Sequence, residues 1–348
     1  MSNLAGQIKA VLGGAAISIV LYFSGLLTFI TPLPLLYVYV VRGRAAGLLS
    51  ALVSVAAVAA AYIFFMPHTQ AAEGAASYFI MPGQGFYGYL PGRLIEAGGI
   101  GYFIFFTSIG VALGEGARRR WELFRWGGVA LIAGLLVLAA IASLSFKFGL
   151  DQVAGGLRSY LLTLFGEVTK AGEQAGEVST QMAFLADRAG EVATLLIRML
   201  PSIAFVVAVL TVAINIVVCR RIVRGHHVLS HVHNVARFRV PDALIWGVIV
   251  CGVAFFLDSY AASTGWLKAV SLNGLISFGV LYFLQGMAVI VYFVQGIKAP
   301  LIRTLAYVAM ILFLQTVSMG LLVVGVADVW ANFRLRRWRS THHHHDTQ

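Results

Sequence analysis

The sequence predicts an all-α fold: a polytopic transmembrane bundle of about 8–9 membrane helices carrying one extramembrane helical hairpin. Two observations carry that reading. Seven stretches, residues 10–41, 45–66, 97–114, 127–146, 201–218, 269–297 and 304–327, hold no Asp, Glu, Lys or Arg, and each runs 18 residues or more. A helix rising ~1.5 Å per residue needs about 20 apolar residues to cross a hydrocarbon layer of ~30 Å, so each stretch can span at least once. The chain shows no series of short alternating segments, and unpaired backbone groups are too costly in lipid for open strands, which leaves helices. An eighth apolar run, 243–257, is shorter and closes on Asp258.

With 59% hydrophobic and 11% charged residues, the 348-residue chain reads as one membrane unit and not as a string of soluble domains. Its net charge of +11 has meaning by position. Fifteen of the 25 Lys and Arg residues fall in four clusters: Arg42 and Arg44; Arg118, Arg119, Arg120 and Arg125; Arg220, Arg221, Arg224, Arg237 and Arg239; Arg334, Arg336, Arg337 and Arg339. All abut span ends, as the positive-inside bias requires, so they mark the cytoplasmic side and argue against a nucleic-acid surface. The two cysteines, Cys219 and Cys251, lie in or beside spans, where no disulfide framework is implied.

Residues 1–146 supply the N-terminal membrane helices. The first run is longer than a signal-peptide core and is expected to remain as an anchor. Pro32 and Pro34 are expected to break it after Thr31, giving a span near 10–30 and a short helix near 34–41. Gly14 and Ser18 form a small-x3-small pair, a spacing that the abundance of Gly and Ala here produces by chance. Run 45–66 leads to Pro67. Residues 67–96, with Pro67, Pro82 and Pro91, Gly83, Gly85, Gly88 and Gly92, and Phe86, Tyr87 and Tyr89, read as a re-entrant or interfacial loop, in which Arg93 and Glu96 could pair.

Residues 147–200 hold six of the chain's fourteen acidic residues. From Leu150 to Met199 apolar residues recur with alternating 4,3 spacing, a heptad-like seam. One continuous helix of that length would end about 75 Å from its start, yet the chain returns to the membrane at Pro201. The segment is therefore expected to be an antiparallel, extracytoplasmic helical hairpin turning near Gly172–Gly176; two helices lying on the membrane surface are the alternative.

Residues 201–333 form the C-terminal membrane helices, and 334–348 a basic tail. Charge clusters on both sides call for an even number of crossings, whereas 243–260, 269–297 and 304–327 make three. A cytoplasmic tail then needs one long run divided into two short helices, with Gly286 and Gly320 as candidate break points.

This third also carries a recognisable pattern: Phe238-Arg-Val-Pro241-Asp-Ala-Leu-Ile-Trp246, then Asn273-Gly274, Leu281-Tyr282-Phe-Leu-Gln285-Gly286, and Gly325-x-x-Asp328-x-Trp330-x-x-Phe333-Arg334. It resembles the YybS-like family of predicted bacterial membrane proteins, a domain of unknown function. The resemblance implies a multi-pass protein of the bacterial cytoplasmic (inner) membrane. It also implies a distant similarity to the solute-binding S-components of energy-coupling-factor vitamin transporters, although 147–200 departs from their compact bundle. No catalytic residue comes with it.

Polar side chains inside spans are costly and face either a site or a neighbouring helix. Asn215, Asp258, Asn273, Gln285 and Gln295 are the candidate solute-binding residues, with Gln315 and Asp328 completing the intramembrane polar set. Gln285 adjoins Gly286, so an amide meets a point of close approach, and it is expected to face the interior and to matter more than Gln315. His226, His227, His231 and His233 have ligand-like spacing, but no Cys, Asp or Glu between 220 and 241 completes a metal site, and they read as a titratable basic patch. No hydrolase, metalloprotease or nucleotide-binding motif is present, so neither an enzyme nor a cofactor is expected. The sequence favours binding or movement of a small solute, with partner membrane or ATPase subunits supplying energy; a scaffold using 147–200 to hold an extracytoplasmic partner is the alternative. Because basic clusters flank 147–200 one span away on each side, a single cysteine at Glu173, with Cys219 and Cys251 replaced, should react with an impermeant thiol reagent in intact spheroplasts. Labelling only after lysis would reverse the topology.

Overall fold

The computed structural model describes residues 2–25, 27–69, 92–148, 155, 158–160, 162–163, 166–167, 188–223, 236, 238–258, 260 and 265–334. Every regular element among them is helical. In order these are α1 (Ser2–Phe23), a 3-10 turn (Thr28–Ile30), α2 (Pro32–Arg42), α3 (Arg44–Thr69), α4 (Gly92–Arg118), α5 (Leu123–Phe148), α6 (Ala189–Arg198), α7 (Leu200–Ile222), α8 (Leu244–Leu257), α9 (Trp266–Gln295), α10 (Pro300–Leu312) and α11 (Leu314–Ala331). Seven of them, α1, α3, α4, α5, α7, α9 and α11, contain stretches long and apolar enough to cross a membrane; the segments Thr28–Arg42, Leu244–Leu257 and Pro300–Met310 are apolar but shorter. The fold is an all-α polytopic bundle, as the charge-free runs require.

The chain divides into two units, residues 1–121 with 125–229, and 230–348 with 122–124. The first is organised around α2. Although only 11 residues long, this helix buries Pro32, Pro34, Leu35, Leu36, Val38, Tyr39 and Val40, and α1, α3 and α4 all pack on it. Glycines let them approach. Gly47 of α3 and Gly114 of α4 face the Tyr39 ring from two sides, and a methyl group at either would overlap it. A Cβ on Gly110 would lie 3.1 Å from the Pro32 carbonyl oxygen. Gly14, whose spacing with Ser18 had a chance explanation, is in fact an interface position: a Cβ there would lie 2.6 Å from Val38 Cγ2 and 2.9 Å from Ser50 Oγ. At the other end of α4, Gly99 lies under the Tyr62 ring; Tyr22 donates to the Gly99 carbonyl at 2.7 Å and stacks edge-on against Phe103.

The expected break of the first run after Thr31 is corrected. The chain leaves helix at Ser24 and Gly25, where φ is +72°, a conformation open to glycine and strained for other residues. Pro32 opens α2 instead, at a position whose N–H would have no intrahelical partner, so its missing donor costs nothing. The second correction is at Pro67, where the helix does not stop; α3 continues to Thr69. Arg93 and Glu96 lie in the first turns of α4, not in a loop. Residues 70–91, most of the expected re-entrant segment, fall outside the described residues, as do 168–187, which include the expected turn at Gly172–Gly176. Of the expected hairpin arms, Arg158 Nη2 lies 3.5 Å from the position of a Gly190 Cβ.

In the second unit α8, α9 and α11 form a three-helix layer. The α8–α9 contact is antiparallel: Gly247 faces the Phe278 ring and Gly274 faces Cys251 Sγ. Neither glycine suggested as a break interrupts its helix. α9 runs unbroken through Gly286, and the 304–327 run divides at Phe313, where ψ is 19°, while Gly320 stands within α11 facing open space. Gly286 and Gly325 are the crossing point of α9 and α11. A methyl on Gly286 would overlap the Leu321 carbonyl, and one on Gly325 the Tyr282 carbonyl. Backbone cannot give way as a side chain can, and overpacking of this kind costs about 1–3 kcal/mol. Gly286→Ala and Gly325→Ala should each lower the unfolding temperature of the purified protein by several degrees, with Gly320→Ala indistinguishable from wild type; equal effects at all three would show that the crossing is not tight.

Candidate functional site

A helix interrupted inside a membrane frees carbonyls and N–H groups that lipid cannot satisfy. Between α1 and α2 side chains take over this task. Ser24 Oγ donates to the Leu21 carbonyl at 2.7 Å and accepts the Leu27 N–H at 3.2 Å. Thr28 Oγ1 reaches the carbonyls of Tyr22 at 3.3 Å and Gly25 at 2.8 Å. Ser18 Oγ donates to the Thr31 carbonyl at 3.0 Å. Asn215 arrives from α7, which packs on the turn and on α2. Its Nδ2 donates to the Phe29 carbonyl and to the Thr211 carbonyl of its own helix, both at 2.7 Å. Two carbonyl acceptors fix the orientation of the amide, so Oδ1 is the atom pointing elsewhere. That oxygen is buried without a hydrogen-bond partner among the described residues, and so are the hydroxyls of Thr211 and Thr31. All three residues are fully buried.

The second constellation surrounds Gln285. Here Oε1 accepts the Val240 N–H at 2.8 Å, and Nε2 donates to the Gly325 carbonyl at 3.1 Å and to Asp328 Oδ2 at 3.2 Å. Asp328, 1% exposed, pairs through Oδ2 with Arg334 Nη2 at 2.7 Å and accepts the Phe333 N–H at 3.1 Å. Arg334 Nη1 donates to the carbonyls of Ala236 and Phe238, both at 2.9 Å. The irregular segment before α8 is thus held through its backbone to α9 and to Arg334, just beyond α11. Every polar atom of the Gln285 amide is engaged; Tyr282 OH, one turn away, is buried with no hydrogen-bond partner among the described residues.

The remaining sequence candidates do not join either constellation. Asn273 donates to the Ala269 carbonyl of its own helix at 2.7 Å. Asp258 follows α8 and accepts the Gly265 N–H at 3.3 Å, at the start of α9. Gln295 is exposed at the last position of α9. Along α9, Asn273 stands about 18 Å and Gly265 about 30 Å from Gln285, so these side chains occupy three levels and do not ring one point. Gln315 is exposed whereas Gln285 is fully buried, which gives the contrast expected between them.

A family model described as "Predicted membrane protein (DUF2232)" matches residues 90–329, more than half of the chain. The chain belongs to this family. The match starts far ahead of the 238–334 segment whose motifs carried the resemblance, and it takes in Asn215, Gln285 and Asp328 but not Thr31 or Arg334. Neither curated proteins nor solved structures gave a match. The family description and the seven apolar helices together make this a multi-pass membrane protein.

Sequence reasoning passed over Thr31 and Thr211, and only the Thr211-x3-Asn215 spacing on one helix face signalled the latter. It also passed over Glu115, the carboxylate just beyond the 97–114 run. The Tyr39 hydroxyl donates to Glu115 Oε2, and Arg119 and Arg44 lie 2.6 and 3.7 Å from its oxygens. Among the described residues no group of three His, Cys, Asp or Glu could hold a metal ion; the histidines at 226–233 fall outside them. Gln285→Leu should destabilise the protein by about 1–3 kcal/mol by leaving the Val240 N–H buried and unpaired. Gln315→Leu should change nothing measurable. Matching losses in chemical denaturation would remove the distinction.

Proposed function

We infer that this family member binds a small polar solute in the first unit, at the helix interruption where Asn215, Thr211 and Thr31 meet the 3-10 turn. One observation carries the reading: three fully buried side-chain oxygens with no hydrogen-bond partner among the described residues, at a broken membrane helix whose Ser18, Ser24 and Thr28 hydroxyls are all bonded. An unsatisfied buried polar atom costs about 1–3 kcal/mol, so three together strongly favour an occupant that supplies donors. Asn215 Oδ1 can only accept, and the two hydroxyls can do either. The occupant is therefore a small molecule presenting hydroxyl, amine or amide hydrogens. Interrupted helices that turn free polar groups inward are a recurring way to build solute sites at membrane depth. The Gln285 network, by contrast, is saturated by the protein itself, and the reading assigns it a structural role.

The protein acts in this reading without catalysis of its own, as a binding or transport subunit. The resemblance to YybS-like bacterial proteins supports a place in a bacterial cytoplasmic membrane, with partner membrane or ATPase subunits for energy. Thr211→Val is the decisive variant, because the hydroxyl it removes bonds to nothing in the described protein. Without solute it should unfold no earlier than wild type. A panel of small polyols, amines and amides should contain a compound that raises the wild-type unfolding temperature, and Thr211→Val should lose that rise. If no compound stabilises the wild type, or the variant keeps the full rise, the oxygens are merely hydrated and the reading fails.

A further inference from the structure

The α2–α3 and α4–α5 connections bring arginines together at one boundary of the first unit. Gly43, with φ +101°, turns the chain sharply between Arg42 and Arg44. Arg118 Nη1 lies 3.2 Å from where a Gly43 Cβ would stand, which brings its guanidinium close to this turn. Arg44 and Arg119 both approach Glu115, at 3.7 and 2.6 Å. The guanidinium groups of Arg119 and Arg125 both lie over the Trp121 ring, 5.7 and 5.0 Å from its centroid. Arg42, Arg44, Arg118, Arg119, Arg120 and Arg125 are all exposed. Against these six guanidiniums stand Glu115 and the sequence-adjacent Glu122, which leaves 6 − 2 = 4 positive charges in excess.

These residues sit where spans begin and end. Arg44 opens the span Arg44–Phe64, and Arg118 closes the span Gly98–Arg118. Trp favours that depth, where lipid phosphates lie. Beyond it, α5 presents Ile132 and Leu136 and α3 presents Leu49 and Leu52 outward, all more than half exposed and all apolar. Guanidinium forks match phosphate oxygens two at a time, and basic pockets between membrane helices take acidic headgroups. We propose that Arg44, Arg118 and Arg119, with Trp121 beside them, form a binding site for the phosphate headgroup of an anionic phospholipid whose acyl chains lie along the apolar faces of α3 and α5. A cluster serving only to orient the chain in the membrane would need positive charge, not guanidinium geometry.

The test is native mass spectrometry and thermal unfolding of the full chain in detergent, titrated with phosphatidylglycerol, phosphatidylcholine or inorganic phosphate. Phosphatidylglycerol should remain bound and raise the unfolding temperature; the other two should do neither. Replacing Arg44, Arg118 and Arg119 together by Gln should weaken phosphatidylglycerol binding at least tenfold, and replacement by Lys, which keeps the charge and the topology, should still weaken it several-fold. Arg220→Gln with Arg221→Gln should leave it unchanged. Equal retention of phosphatidylcholine, equal stabilisation by inorganic phosphate, full binding by the Lys variant, or an equal loss in the Arg220/Arg221 variant would each overturn the proposal.

Discussion

Backbone groups in lipid must find partners inside the protein, and both units of this chain are shaped by how they meet that demand. Continuous helices do so by themselves. Among the described residues, the interruption between α1 and α2 and the approach to α8 at 238–241 do not. In each, side chains from other helices supply the missing bonds, Asn215 and Ser18 for the first, Gln285 and Arg334 for the second. The polar residues that stand out in such an apolar sequence are thus mostly engaged with main chain. Asp258 and Asn273 follow the same rule.

Close helix approach is the second requirement, because lipid tails are as apolar as leucine and give no hydrophobic reward for pressing helices together. Dispersion contacts and hydrogen bonds must hold the bundle, and both fade quickly with distance. Glycines supply the needed proximity. Tyr39 lies between Gly47 and Gly114, while Gly286 and Gly325 let α9 and α11 meet backbone to backbone. At that crossing the Gln285 amide can reach across to the Gly325 carbonyl, so tight contact and polar bonding reinforce each other.

Gln285 and Asn215 differ in how much of each amide the protein itself engages. Gln285 has a partner for each of its polar atoms, and the Asp328–Arg334 pair beside it is likewise bonded on its accessible sides. Asn215 uses its amide nitrogen to close the helix break, and its oxygen, like the hydroxyls of Thr211 and Thr31, has no hydrogen-bond partner among the described residues. A buried group kept at a cost and serving no internal bond is where an external partner has the most to gain.

Much of this was legible in sequence because hydropathy is a property of composition along one dimension. Charge-free runs mark the spans, but the first run breaks at Ser24 and Gly25, ahead of the break expected after Thr31. The prolines pointed slightly downstream of the true site because Pro32 starts a helix as readily as it ends one, and Gly25 alone, among 37 glycines, carried no visible mark. The identity of the candidate site lay beyond sequence for a different reason. Whether an amide bonds a solute, a neighbouring helix or its own backbone depends on which atoms fold to within 3 Å of it, and residues 186 positions apart, Phe29 and Asn215, decide that for the N-terminal unit. Composition determined the solvent and the secondary structure; only the tertiary arrangement decided which polar atoms are left over, since an unpaired atom is defined by what surrounds it.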